Sequence, residues 1–180
     1  MASLPLLYYR RIERVHPLMS PQLMREKIPV SKKASQTVLT GRKEVEAILS
    51  GADDRFLLIV GPCSIHDPVS ALDYANRLVR LRAKYRDCFC IIMRVYFEKP
   101  RTGLGWRGLI VEPALDGVIN ITGGLETARK TLSAITELGL PTASELLDPI
   151  VPQYTADFVS WVSIGARSAE SQIHRELASG

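Results

Sequence analysis

A thiol and an imidazole stand three residues apart in Gly61-Pro62-Cys63-Ser64-Ile65-His66-Asp67, directly after the apolar run Phe56–Val60. Such a run reads as a strand, and the stretch just past a strand's carboxyl end is where α/β enzymes keep their chemistry. A second run, residues 89–97, repeats the plan. It carries Arg94 within an otherwise apolar strand and then delivers Lys99, Pro100, Arg101 and Thr102 into a loop. Two cations and a hydroxyl in succession suit phosphate, which accepts charge-assisted hydrogen bonds. Glu145 closes a third segment, where a carboxylate can orient a cation, hold a water or move a proton. Gly165-Ala166-Arg167 follows a fourth. There a glycine lets backbone N–H groups approach a phosphate, and the arginine adds charge.

Each residue also has a plainer reading. Cys63 alone is equally well a small buried cysteine. A lone guanidinium in a strand is costly to bury, so Arg94 needs an anion, and Glu145 could be its internal partner. Lys99 and Arg101 could belong to a solvated loop, and Arg167 to an ordinary turn. His66 reads as structural, because Asp67-Pro68 has the form of a helix start with Asp67 as the cap. Cys88 and Cys90 flank Phe89 at a strand's entrance and read as packing residues.

The elements that must position these groups alternate. Residues 1–37 hold four of the 11 prolines and lack sustained periodicity. Val38, Val45, Ile48 and Leu49 then suit one helix before the turn at 51–54. Strands are expected at 56–60, 89–97, within 140–147 and at 161–166. Helices are expected from Asp67-Pro68, with Leu72, Ala75, Leu78, Val79 and Leu81 as its apolar stripe, over 124–138 with Gly139 closing it, and over 168–177. Residues 103–117 read as a long loop. The fold class is α/β with parallel strands, drawn either as half a barrel or as a small open sheet. A half-barrel would leave two edge strands open and expose inner-face residues such as Ile59, Ile92 and Val162, favouring self-association.

Composition bounds the function. The chain is 46% hydrophobic and 23% charged, as in globular proteins, and no stretch has the apolar length of a membrane span. At the N-terminus the apolar residues 4–9 precede Arg10, Arg11 and Arg14, the reverse of a secretory signal. Cys63, Cys88 and Cys90 are an odd set without paired zinc-ligand spacing, which fits a reducing cytoplasm. The formal charge of +4 and the basic first 43 residues raise nucleic acid as a partner. Interspersed Glu13, Glu26 and Glu44, and the lack of interleaved aromatics, favour a solvated arm instead.

Five blocks carry a resemblance: GPCSIHDP at 61–68, MRVYFEKPRT at 93–102 with GWRGLI, ASELLDP around Glu145, SIGAR at 163–167 and SQIHRELASG at 171–180. In order and spacing they resemble the 3-deoxy-7-phosphoheptulonate (DAHP) synthases of the type found in enteric bacteria and fungi, from about Pro17 to Gly180. The resemblance implies a TIM (β/α)8 barrel, which needs about 250 residues. Residues 1–54 would then be an N-terminal extension and 55–180 the first four β/α units.

The implied reaction condenses phosphoenolpyruvate with erythrose 4-phosphate, the first step of the shikimate route to aromatic amino acids. It implies a divalent metal of the Mn, Fe, Co or Zn type, with Cys63 as one ligand and a histidine, a glutamate and an aspartate on later strands. By the same resemblance Arg94 faces phosphoenolpyruvate, and Lys99 sits between the two substrates. Pro100, Arg101 and Thr102 hold erythrose 4-phosphate. Glu145 lines the phosphoenolpyruvate pocket, although Ser144 precedes it where the family commonly has glycine, and Gly165, Ala166 and Arg167 bind phosphate. Lys99 and Glu145 are the expected catalytic pair. The family also implies a homo-oligomer assembled through the N-terminal arm and an aromatic amino acid inhibitor near 148–153. The 180 residues alone are expected to be inactive. The alternative is a half-barrel that binds phosphate weakly or assembles with a partner half.

Overall fold

A computed structural model describes residues 15–180. The basic residues Arg10, Arg11 and Arg14 and the apolar stretch 4–9 lie outside the described residues. Four strands, β1 (Phe56–Val60), β2 (Phe89–Arg94), β3 (Thr142–Leu146) and β4 (Trp161–Ile164), pair in parallel in the order β1-β2-β3-β4. That order separates the two drawings left open by periodicity. A doubly wound sheet reverses its strand order at a switch point. Here the order never reverses, so right-handed crossovers place successive helices on one face and the sheet curls as half of a barrel.

The connecting helices begin where polar caps permit. Asp67 accepts hydrogen bonds from the N–H groups of Val69 and Ser70, and Pro68 occupies the first turn of α3 (Pro68–Lys84). Asn120 accepts from the Gly123 N–H, so α4 (Ile121–Glu137) starts three residues before the expected 124. Gly139, at φ +82°, closes that helix as expected. Ahead of β1, the proline-rich segment hides one helix that periodicity missed, and the helix expected from Val38, Val45, Ile48 and Leu49 is present but starts six residues before its first apolar position. Ser20 caps α1 (Pro21–Lys27), which has Pro21 in its first turn, and Ser31 caps α2 (Lys32–Leu49). These caps were the readable signal.

Two expected strands are shorter than their apolar runs. After Arg94 the chain keeps one ladder bond, Val95 N–H to Ala143 O, and then turns so that Tyr96 O accepts from Ile65 N–H. β4 stops at Ile164. The segment expected to be helical from 168 instead makes a 3-10 turn at Ala166–Ser168, and a last helix follows over Gln172–Ser179.

The principal core lies between the sheet's outer face and the helices, where Ile91, Met93 and Val95 meet Leu78, Leu125, Leu132 and Ile135. A second cluster closes the sheet's lower inner face. There α2 sets Val45 and Ile48 against Leu57, Ile59, Cys90, Ile92 and Trp161. Ile92 is 0% exposed, which overturns the expectation that it would lie open. Val162 also departs from that expectation: it pairs in register with Ser144, on the opposite face from Trp161, and packs into the principal core. The N-terminal extension therefore plugs the bottom of the half-barrel.

Hydrogen bonds from Thr37 Oγ1 to Thr136 O (2.9 Å) and from Ser160 Oγ to Val38 O (3.1 Å) hold α2 there. Gly41 permits the approach, since a Cβ there would lie 2.6 Å from Pro141 Cβ. Arg129 fixes the same region from α4. Fully buried, it donates to both carboxylate oxygens of Asp157 (2.6 and 2.7 Å), to Tyr154 O (2.6 Å) and to Ile28 O (2.9 Å). Cys90 is buried as expected, whereas Cys88 is exposed, because it precedes the first ladder pair of β2.

Candidate active site

The carboxyl ends of the four strands deliver their residues to one side of the sheet. Cys63, exposed just past β1, is met by Lys99 from the loop after β2. The Lys99 ammonium donates to Cys63 Sγ (2.9 Å) and to Cys63 O (3.1 Å). That hydrogen bond, the lysine's charge and the more distant Arg94 and Arg101 hold the thiol below its usual range. An exposed thiol so tuned has the chemistry to ligate a metal or to act as a nucleophile. Gly61 lets this turn cross β2, because a Cβ there would lie 2.5 Å from Arg94 O.

Arg94 ends β2 on the inner face. Its guanidinium carbon lies 3.9 Å from the Tyr96 ring centroid. Nη2 reaches only Cys63 O, at 3.4 Å, and Nε is buried with no hydrogen-bond partner among the described residues. Glu145 is therefore not its internal partner. A buried donor left unpaired is costly and marks a place prepared for an acceptor.

Beside it opens a cleft of about 640 Å³. Lys99, Pro100 and Arg101 from beyond β2, Glu145 from β3, and Gly165, Ala166 and Arg167 from beyond β4 line it. Glycine at 165 leaves room for the Glu145 carboxylate, since a Cβ there would lie 2.5 Å from Glu145 Oε1. Seven of the expected residues thus share one cleft, and Lys99 links it to Cys63 and Arg94. Thr102 is exposed and does not line it. His66 is exposed next to the Asp67 cap, in keeping with its structural reading.

Sequence reasoning missed the other ionisable residues of the lining, Glu98, Arg107 and Asp148. Arg107 is brought in by a backbone pairing of Lys99 N–H with Arg107 O (3.0 Å). Gly108, at φ +104°, makes room there, because a Cβ would lie 2.3 Å from Phe97 O. The glycines of GWRGLI were the signal for this close approach. Asp148 Oδ1 accepts from the N–H groups of Ile150 (2.6 Å) and Val151 (3.0 Å), fixing the turn after β3. Glu98 is pushed up to about 7 by burial, reinforced by Asp148 and Glu145. No periodicity foretells that, since the burial is tertiary and the charges that reinforce it stand 47 and 50 positions away. The cleft thus gathers cations beside a carboxyl whose raised pKa suits proton exchange near neutrality.

A divalent metal needs three or four donors. Among the described residues no group of three or more His, Cys, Asp or Glu side chains could hold one. Cys63 fits as a single thiolate ligand, and these residues alone do not complete a site.

Comparison with known proteins bears on the whole arrangement. The model of the DAHP synthetase I family matches residues 27–180. The phospho-2-dehydro-3-deoxyheptonate aldolase of Haemophilus influenzae is 56% identical over 170 residues, covering 94% of this chain and 47% of that protein. The Phe-sensitive enzyme of that name from Escherichia coli K12 is 54% identical, covering 94% and 49%. The structure of the Francisella tularensis aldolase superposes with a TM-score of 0.91 at 50% identity, over 94% of this chain and 50% of that one. The chain spans about half the length of these relatives. The order of its strands, the cleft at their carboxyl ends and the match over residues 27–180 agree: the chain belongs to the DAHP synthetase I family.

Proposed function

We propose that this cleft is the anion-binding half of a DAHP synthase active site, which joins phosphoenolpyruvate to erythrose 4-phosphate. The observation that carries the reading is the gathering of Lys99, Arg101, Glu145, Gly165 and Arg167 in one cleft, beside an arginine whose Nε has no partner. Arg94 receives the phosphoenolpyruvate carboxylate, and Lys99 and Arg167 hold its phosphate. Arg101, with Pro100 and Thr102 on the same loop, takes the phosphate of the aldehyde. Holding both anions in one place supplies catalysis by proximity and electrostatics.

In the reaction a bond forms between phosphoenolpyruvate C3 and the aldehyde carbon, water adds at C2, and phosphate leaves. Glu145 orients the water and takes its proton, and Lys99 gives a proton to the aldehyde oxygen. Cys63 supplies one thiolate to a divalent metal whose other donors come from outside the described residues. When bound, that metal polarises the aldehyde carbonyl.

Residues 15–180 by themselves therefore bind phosphoenolpyruvate without consuming it. Calorimetry with phosphoenolpyruvate, alongside an assay of its loss with erythrose 4-phosphate and manganese, tests both parts. Saturable binding without turnover is expected. No binding would overturn the reading, and turnover would overturn its second part.

Regulation follows the same family logic. A pocket of about 190 Å³ between α1, β3 and the 152–157 segment is lined by Arg25, Leu146, Pro152, Gln153, Ala156 and Asp157. We assign an aromatic amino acid to it, as the Escherichia coli relative is named Phe-sensitive. Among the described residues no helix is long and apolar enough to cross a membrane. Three free cysteines suit the reducing cytoplasm.

A further inference from the structure

We infer that Tyr96 and Ser163 are positioning residues that hold the Arg94 guanidinium in its anion-receiving orientation. The inference rests on the reading that Arg94 receives phosphoenolpyruvate, and it concerns side chains to which that reading gives no role. Arg94 is long, and few groups restrain it: one 3.4 Å bond from Nη2 to Cys63 O and no partner on Nε. What fixes it is the Tyr96 ring, 3.9 Å away, a distance at which the flat guanidinium stacks on the π face.

The ring is fixed in turn. Tyr96 Oη and Ser163 Oγ lie 2.9 Å apart, a hydrogen bond that reaches from the chain beyond β2 to β4 and passes over β3. In register with Arg94 on β3 stands Ala143, whose single methyl group is the smallest side chain a non-glycine residue can place beside that arginine. Ser163 pairs in register with Glu145. One small hydroxyl on β4 thus links the orientation of Arg94 to the strand position that carries Glu145. A stacked arginine also keeps its in-plane donors free, as bidentate recognition of a carboxylate requires.

The test uses the 180-residue chain, phosphoenolpyruvate as the probe, and the ¹⁵N-resolved Arg94 Nε–H resonance, which the ring current of Tyr96 is expected to shift upfield. Tyr96→Phe and Ser163→Ala each remove the hydroxyl bond and are expected to weaken binding about 3- to 10-fold. Together they should weaken it no further than either alone, because both break one interaction. Ser163→Thr restores the hydroxyl and is expected to bind within about twofold of the parent. Tyr96→Leu removes the stack, abolishes the upfield shift and weakens binding by up to about 30-fold. Should Tyr96→Leu fail to fold, the two hydroxyl variants carry the test.

If the parent chain binds and Arg94→Ala abolishes binding, while Tyr96→Phe and Ser163→Ala bind like the parent with an unmoved Arg94 resonance, the positioning inference falls and the site reading stands. If the parent chain does not bind, the site reading falls and the inference with it.

Discussion

Replacing Glu98 with glutamine should remove most of the chain's pH-dependent stability between pH 5 and 7. Glu98 lines the cleft with Glu145 and Asp148, and also a narrow recess behind it walled by Ile110, Leu132 and Val159. Burial among these apolar groups, then the charge of Asp148 and that of Glu145, raise its pKa from 4.5 to about 7. A carboxyl raised in this way binds its proton more tightly in the folded chain than in the unfolded one. The stabilisation is complete below pH 4.5 and is lost as the pH rises through about 7. Each tenfold difference in proton affinity is worth about 1.4 kcal/mol, so the loss is at most about 3 kcal/mol. Water in the open cleft, with Lys99 and Arg107 on its walls, reduces it toward about 1–2 kcal/mol. Urea unfolding at half-unit pH steps from 5 to 8, for the parent and Glu98→Gln, measures the difference directly. The parent should lose at least about 1 kcal/mol more than the variant over that range. Parallel profiles would refute the reasoning, because they would mean that Glu98 ionises as freely in the fold as in water.

Arg129→Met should destabilise the chain by about 3–5 kcal/mol in the same assay, since it strands Asp157 and leaves the carbonyls of Ile28 and Tyr154 without their donor. Gly165→Ala should lower phosphoenolpyruvate affinity about tenfold in calorimetry, with little change in Tm, because the new methyl group displaces the flexible end of Glu145 rather than backbone. At pH 7 an alkylating agent should modify Cys63 faster than the exposed Cys88, and Lys99→Met should abolish the advantage, because the lysine holds the thiol below its usual range. Mass spectrometry of the labelled peptides reads both rates.

The sequence exposed this site unevenly, for physical reasons. Cys63, Arg94, Lys99 and Arg167 were legible because each stands at or just past the end of an apolar run, and parallel strands bring their carboxyl ends together. Glu98 and Asp148 were not, because what sets them apart, burial of Glu98 and the carboxylate charges gathered around it, comes from tertiary packing rather than from local pattern. The shelf under Arg94 was equally hidden, since Tyr96 and Ser163 are 67 residues apart. α1 escaped a periodicity search because it spans seven residues and buries only Met24, whereas its serine cap and first-turn proline were readable. The covering of Ile92 depended on α2 reaching beneath the strands, a tertiary contact enabled by the missing side chain of Gly41. Strand order, which separates a half-barrel from an open sheet, is likewise a property of pairing and not of any one segment.

The central claim is that phosphoenolpyruvate binds between the ends of β2, β3 and β4. The most direct measurement is a crystal structure of the chain grown with saturating phosphoenolpyruvate. The account expects the carboxylate at the guanidinium of Arg94, with Nε paired, and the phosphate against Lys99 and Arg167. A cleft that stays empty under those conditions, or a ligand seated away from Arg94 and Arg167, would contradict it.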